Sequence, residues 1–278
     1  MRTSVLAGRT AVISGGSRGI GLAIGVALGR AGCNVALLAK TDTPHPKLPG
    51  TVHSAAEQIV EAGGRALAHV GDVRSEEDVE RCVARTVERF GGIDMVINNA
   101  SAIALAPIAD LPPARLALMT DVNVRGTYLL TRACLPHLRA SPRAHVLTLS
   151  PPLGNAGGWV AGHAPYTLTK MGMSMLTLGV ARDEAEHGIG ANCLWPRTFI
   201  ATAAVRNLLG GDDQVARSRT PAIMADAALA ILCADPREQT GEALLDDEAL
   251  RRAGVTDLDR YRVAPDGELA LDLFVDGW

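Results

Sequence analysis

The sequence predicts an α/β fold, one doubly wound parallel sheet of about seven strands with helices on both faces. Two observations predict it. Short apolar runs bounded by Gly, Asn or Pro alternate with longer segments whose apolar residues recur at helical spacing. No stretch between residues 5 and 248 has the composition of a linker. The chain has 278 residues, 47% hydrophobic and 21% charged, which suits one large globular domain. Aromatics are only 3%, so the core must rest on Ala, Val, Leu and Ile.

The elements follow in order. Thr10 to Ser14 is a buried strand stopped by Gly15-Gly16. Gly19 to Ala31 carries Ile20, Ala23, Ile24, Ala27 and Leu28 at helical spacing and stops at Gly32. Asn34 to Ala39 is a second strand. Residues 42–50 hold three prolines and form a loop. Helix resumes near Val52 and ends at Gly63-Gly64, before a third strand from Ala66 to Val70. Ser75 to Phe90 is a helix capped by Ser75, with three acids in its first turn to suit the helix dipole. Ile93 to Asn98 is a fourth strand. Pro113 to Leu138 is mostly helical, and Ala144 to Ser150 is a fifth strand. A Pro- and Gly-rich loop leads to a long helix, Pro165 to His187. Gly190 to Trp195, Pro221 to Cys233 and Ala243 to Asp246 read as strand, helix and short strand. Residues 1–248 are thus read as the domain and residues 249–278 as a tail.

Composition excludes several classes. The net charge is −3, with no overall basic footprint, so neither nucleic acid nor a membrane surface is an expected partner. No apolar run reaches the roughly 20 residues of a membrane helix, and residues 1–7 lack a secretory signal. The five cysteines, widely spaced and odd in number, read as reduced thiols of a cytoplasmic protein without a metal site.

The first strand-to-helix turn carries Gly15, Ser17, Arg18, Gly19, Ile20 and Gly21. Glycines let the backbone approach a pyrophosphate, and the helix N-terminus offers free N–H groups. This is the dinucleotide cradle of a Rossmann fold, spaced GxxxGxG. A ribose 2′-OH calls for an acid at the end of the second strand. That position is Ala39, followed by Lys40, and Arg18 can reach the same spot. Two cations and no acid favour NADP(H) over NAD(H).

Tyr166 and Lys170 open the long helix four residues apart, on one face and roughly 6 Å apart along its axis. A lysine cation there lowers the phenol pKa and lets the tyrosine exchange a proton near neutral pH. Ser150 ends the fifth strand, at the sheet edge where open α/β sheets bind ligands, and can hold a substrate oxygen.

With these motifs in place, the chain resembles the short-chain dehydrogenase/reductase family over residues 5–248. The matching pieces are Ser14 to Gly21, Asp72-Val73, Asn98-Asn99-Ala100, Asn123 to Gly126, Ser150, Tyr166 with Lys170, and Pro196 to Thr202. Residues 44–51, Ser150 to Leu153, Leu194 to Thr198 and the tail are similar to a narrower subgroup, whose animal members add a sterol-carrier domain not found in these residues. The resemblance implies catalysis by Asn123, Ser150, Tyr166 and Lys170, with Asn123 holding a proton-relaying water. It implies that Lys170 binds the nicotinamide ribose. Asp72 and Val73 would contact the adenine, Asn99 and Ala100 would line the ribose, and Pro196, Ile200 and Thr202 would lie near the carboxamide and phosphate.

Three departures stand out. Ser101 and Arg197 occupy positions where the family has Gly, and Ser150 lies sixteen residues before Tyr166, a long loop stiffened by Pro151 and Pro152. His163 reads as a helix-start residue, His137 and His145 as surface residues, and Trp195 as buried at the sheet's end. Ile103, Leu105, Leu153, Trp159 and Phe199 are apolar pocket candidates. The expected activity is NADP(H)-dependent interconversion of a hydrophobic alcohol and its ketone or aldehyde. A non-catalytic NADP(H) sensor on the same fold is the alternative; an enoyl reductase would want a wider Tyr-to-Lys spacing. The family implies a homodimer or homotetramer, and the small residues of the two long helices permit close packing. The tail's Leu269, Leu271, Leu273, Phe274 and Trp278 are unlikely to sit in water as one patch, so it should pack on the pocket rim or a neighbouring subunit.

Overall fold

The structure is a computed structural model that describes residues 3–44, 48, 50–154 and 159–277. Four residues of the 44–51 stretch, His45, Pro46, Lys47 and Pro49, lie outside these, as does Trp278. Seven parallel strands form one sheet in the order β3-β2-β1-β4-β5-β6-β7. They are β1 (Thr10–Ser14), β2 (Asn34–Ala39), β3 (Arg65–Val70), β4 (Met95–Asn98), β5 (His145–Thr148), β6 (Gly190–Trp195) and β7 (Ala243–Leu245). Strand order reverses between β1 and β4, whose register pairs Ala11 with Met95 and Ile13 with Ile97. That switch point opens the ligand crevice at the carboxyl edge.

The helices are α1 (Gly19–Arg30), α2 (Val52–Glu61), α3 (Glu76–Phe90), α4 (Pro113–Met119), α5 (Gly126–Ala140), α6 (Ala164–Asp183), α7 (Ala203–Leu208), α8 (Gly211–Ala216), α9 (Ala222–Cys233) and α10 (Asp246–Arg252). One core layer joins Ile24 and Leu28 of α1 to Ile223 and Leu232 of α9 against β1 and β2. The other packs Cys82, Leu130 and Leu138 of α3 and α5 against Val12 and Val96. Every residue of β1, β2, β4, β5 and β6 is buried, as expected when helices cover both faces.

Local chemistry sets the boundaries. Ser75 Oγ accepts from Asp78 N at 3.2 Å, and Gly91, at φ 88°, ends α3 in the left-handed region. The predicted helix from Pro113 to Leu138 is interrupted by a π-helical stretch, Thr120–Arg125, which divides α4 from α5. His145, read as a surface residue, is instead buried within β5. The central position of β5 in the sheet overrides the residue's polarity, and burial pushes its imidazole down to about 4. The alternation also runs past residue 248: α10 spans 246–252 and docks on α9. Leu258 and Tyr261 complete that layer, with Tyr261 Oη donating to Asp226 at 2.6 Å.

Candidate active site

Gly15 and Gly19 turn the chain with φ of 70° and 58°, values that favour glycine. A Cβ on Gly21 would come within 2.5 Å of Asn99 Nδ2, so that glycine lets the β1 turn and β4 loop touch. Asn99 Nδ2 donates to Ser14 O at 2.9 Å and Gly15 O at 3.0 Å. Ser14 Oγ accepts from the N–H of Asn99 and of Ala100, both at 3.1 Å. Helix α1 has no side-chain cap: Arg18 precedes it in extended conformation. Its first N–H groups therefore stay open to an anion, and Ser17 and Ile20 flank them. The cradle fits a dinucleotide pyrophosphate. Thr202 lies against it, with its Cγ2 at 3.5 Å from where a Cβ on Gly19 would stand.

The other end of the cradle is cationic. Arg18 Nη2 donates to Thr41 Oγ1 at 3.2 Å and Gly50 O at 3.0 Å, which holds the guanidinium beside the end of β2. Its Nε is buried with no partner among the described residues. Lys40 is exposed and stands 3.7 Å from Asp72 Oδ2. Arg74 grips the Asp72 carboxylate through Nε at 3.0 Å and Nη2 at 2.6 Å. Burial raises the Asp72 carboxyl, but the Arg74 bonds and the Lys40 charge outweigh it and hold it below its ordinary value. Val73 is buried against Gly126.

Ser150 follows β5, fully buried, and its side chain meets the buried Cys193 thiol. Tyr166 and Lys170 lie on the buried side of α6, 4% and 2% exposed. Lys170 Nζ donates to Leu149 O at 2.5 Å and sits 4.9 Å from the Trp195 ring centroid. Burial pushes its ammonium down to about 7, against the opposing pull of Cys193 and Asp272. The Tyr166 phenol moves up: burial is the largest cause, and the Asp272 carboxylate adds to it. This differs from the sequence expectation of a phenol lowered by Lys170. The ammonium here bonds Leu149, one residue before Ser150, and not the phenol.

Asn123 falls in the π-helical stretch and is completely buried. Its Oδ1 accepts from Ala102 N at 2.7 Å, and its Nδ2 donates to Ala102 O and Thr169 Oγ1, both at 3.0 Å. It thereby ties the loop after β4 to the turn of α6 that carries Lys170. A π-turn at such a point is a common mark of a functional site. Pro196 is buried at the end of β6, and Ile200 packs into the core layer of α1 and α9. Of the apolar candidates, Ile103 and Trp159 join the cluster around Tyr166, whereas Leu105 and Leu153 are exposed and Phe199 stands outside it.

Sequence reasoning missed the partners of Arg197. This buried guanidinium donates through Nε to Asp247 at 2.7 Å, through Nη2 to Glu248 at 3.2 Å and through Nη1 to Gly277 O at 2.8 Å. An arginine in place of glycine, matched by the acidic run Asp246-Asp247-Glu248, was the available signal. The tail is expected on the pocket rim or a neighbouring subunit, but the sequence does not identify the residues it meets. Trp195 Nε1 donates to Leu273 O at 2.7 Å, and the Phe274 ring stacks on Tyr166 at 6.1 Å between centroids.

The short chain dehydrogenase family profile matches residues 9–211. The chain is 47% identical over 274 residues to hydroxysteroid dehydrogenase-like protein 2 of Xenopus tropicalis, covering 99% of this chain and 65% of that one. It thus spans just under two thirds of that relative's length. A crystal structure of a short chain dehydrogenase from Mycobacterium thermoresistibile superposes with a TM-score of 0.93 at 50% identity, covering 98% of this chain and 96% of that one. An NADH-dependent reductase, A1-R′, complexed with NAD, superposes at 0.71 with 25% identity, covering 87% and 96%. The chain belongs to the short-chain dehydrogenase family of NAD(P)-binding oxidoreductases.

Proposed function

We propose that this protein interconverts a hydrophobic secondary alcohol and its ketone, or an alcohol and its aldehyde, with NADP(H). The observation that carries the reading is that Ser150 after β5 and Tyr166 and Lys170 on α6 are all buried, with Lys170 bonded to the residue before Ser150, beside a dinucleotide cradle. The bound nicotinamide supplies or accepts the hydride. Ser150 Oγ, buried beside the Cys193 thiol, would donate to the substrate oxygen. Tyr166 gives that oxygen its proton in reduction and takes it back in oxidation. Lys170 supplies positive charge beside Leu149 and Ser150 and would hold the nicotinamide ribose. Asn123 fixes the turn from which Lys170 projects and would place a relaying water. Asn99 and Ala100 would line the ribose, Asp72 and Val73 the adenine, and Thr202 the phosphates.

The choice of NADP(H) rests on Arg18 and Lys40, two cations at the end of β2 where an NAD-selective site places an acid. Five free cysteines support a reducing, cytoplasmic setting. Exposed apolar residues on α5 and α6 support a homodimer or homotetramer. The deciding experiment is a panel of ketones, aldehydes and alcohols followed by NADPH absorbance. Turnover of hydrophobic carbonyls with NADPH is the expected result. Stable cofactor binding with no turnover across the panel would instead favour a sensor.

A further inference from the structure

The chain's last described residues cross the carboxyl edge of the sheet and are pinned there at several points. Leu271 bridges Thr198 in antiparallel fashion, and Asp272 N donates to Arg197 O at 2.9 Å. Leu273 O receives the Trp195 indole N–H, Asp276 receives the Trp159 indole N–H at 3.0 Å, and Gly277 O receives Arg197. Between these anchors Phe274 has φ 68°, the one positive value among the described non-glycine residues. An aromatic residue in that region is a true outlier and persists only where the surroundings over-determine it.

What the anchors achieve is the placement of one ring. Phe274 lies nearly parallel to Tyr166, at 28° and 6.1 Å. It meets Trp159 edge-on at 5.9 Å and Trp195 edge-on at 5.6 Å. Because Phe274 lies against the Tyr166 ring, a substituent of a carbonyl bound at the Tyr166 hydroxyl can reach it. Resting on the oxidoreductase reading above, we propose that Phe274 is the specificity-determining residue of the site. It selects neutral substrates whose alcohol or carbonyl carbon bears a flat aromatic group. Such a group continues the stack begun by Phe274 and Tyr166, with Trp159 and Trp195 at its edges. A linear alkyl group of similar size gains only apolar contact. Aromatic pairing adds about two- to twelvefold in affinity beyond area burial.

The test uses the intact chain saturated with NADPH, or with NADH if that binds more tightly. Reduced cofactor with an alcohol forms a dead-end complex, so binding is read without turnover. Calorimetric titration with 1-phenylethanol and 2-octanol gives a preference ratio. Wild type is expected to prefer 1-phenylethanol. Phe274→Leu keeps apolar volume but loses the ring, and should lower the ratio roughly five- to tenfold; Phe274→Tyr should restore it. Phe274→Gly relieves the backbone and should lower the ratio as Phe274→Leu does. Unfolding temperatures identify any variant that fails to fold, and the wild-type preference stands as a test by itself. A wild-type ratio near unity, or one unchanged in both Leu and Gly variants, overturns the proposal. A ratio that falls as expected in a protein that turns over neither acetophenone nor 2-octanone upholds the ring's selectivity and removes the oxidoreductase reading instead.

Discussion

Two buried side chains on one turn of α6 are asked for opposite things. Tyr166 must part with a proton, yet burial pushes its phenol up. Lys170 must be positive to ease that, yet burial pushes its ammonium down to about 7. The tyrosine supplies the only proton in the proposed reaction. Tyr166→Phe, which keeps the ring stacked on Phe274, should therefore cut turnover by roughly 10²–10⁴. NADPH affinity by calorimetry should stay within about twofold, since the removed hydroxyl acts on the substrate oxygen. Unchanged turnover would remove Tyr166 from the mechanism. The lysine carries a stability cost with a definite pH dependence. Between about 7 and its ordinary 10.5 the unfolded chain holds the proton and the folded chain does not, so stability rises with pH across that window. The penalty is complete below pH 7 and vanishes above 10.5. Lys170→Met should then raise the unfolding temperature of the cofactor-free protein by roughly 3 °C or more at pH 6. The gain should shrink as pH rises toward 10 while activity is lost throughout. A variant less stable than wild type at pH 6 would mean that the Leu149 hydrogen bond and the Trp195 contact outweigh desolvation.

At the scale of elements, what was legible follows from local chemistry. The Gly-rich turn, the Ser75 cap and the mostly apolar strands each declare themselves within a few residues, and a parallel sheet covered on both faces follows from their alternation with helices. The acidic run at 246–248 lies next to Arg197 only after β6 and β7 pair, so α10 and its docking were invisible to a local reading. The same holds for the tail: Phe274 and Tyr166 are more than a hundred positions apart, and no spacing rule joins them. His145 shows the reverse failure, a polar residue whose place in a central strand overrides its type. The end of β2 was legible because charge at a strand terminus is local. Ala39→Asp with Lys40→Ala puts an acid where a ribose 2′-OH would sit and removes one of the two cations. NADPH affinity should fall and NADH affinity rise, moving their ratio by at least tenfold. Arg18, held by Thr41 and Gly50, remains and limits the reversal. Titration of wild type with both nucleotides is the control, and tighter binding of NADH there would remove the NADP(H) assignment.

Assembly belongs to the whole molecule, and the outer side of α6 carries the argument. Leu168, Gly172, Met175 and Gly179 follow one another at helical spacing along a single stripe. Leu168 and Met175 are 67% and 65% exposed, unusual values for large apolar residues on a helix whose other side is core. A side chain placed on Gly179 would meet nothing within 4 Å among the described residues, so that end of the stripe is open to another helix, whereas Gly172 lies against Val124 of the same chain. Tyr128 of the neighbouring α5 is 49% exposed and extends the apolar area. A contiguous exposed patch of this kind marks an interaction surface, and a self-complementary face on a helix generates a closed dimer through a two-fold axis. The intact chain should therefore scatter light as a dimer or tetramer. Leu168→Glu with Met175→Glu places four like charges across such an axis in the dimer. It should lower the mass toward the monomer while leaving the unfolding curve cooperative, because neither side chain is part of the core. A monomeric wild type would overturn the assembly, and an unchanged mass in the double variant would move the interface off this face of α6.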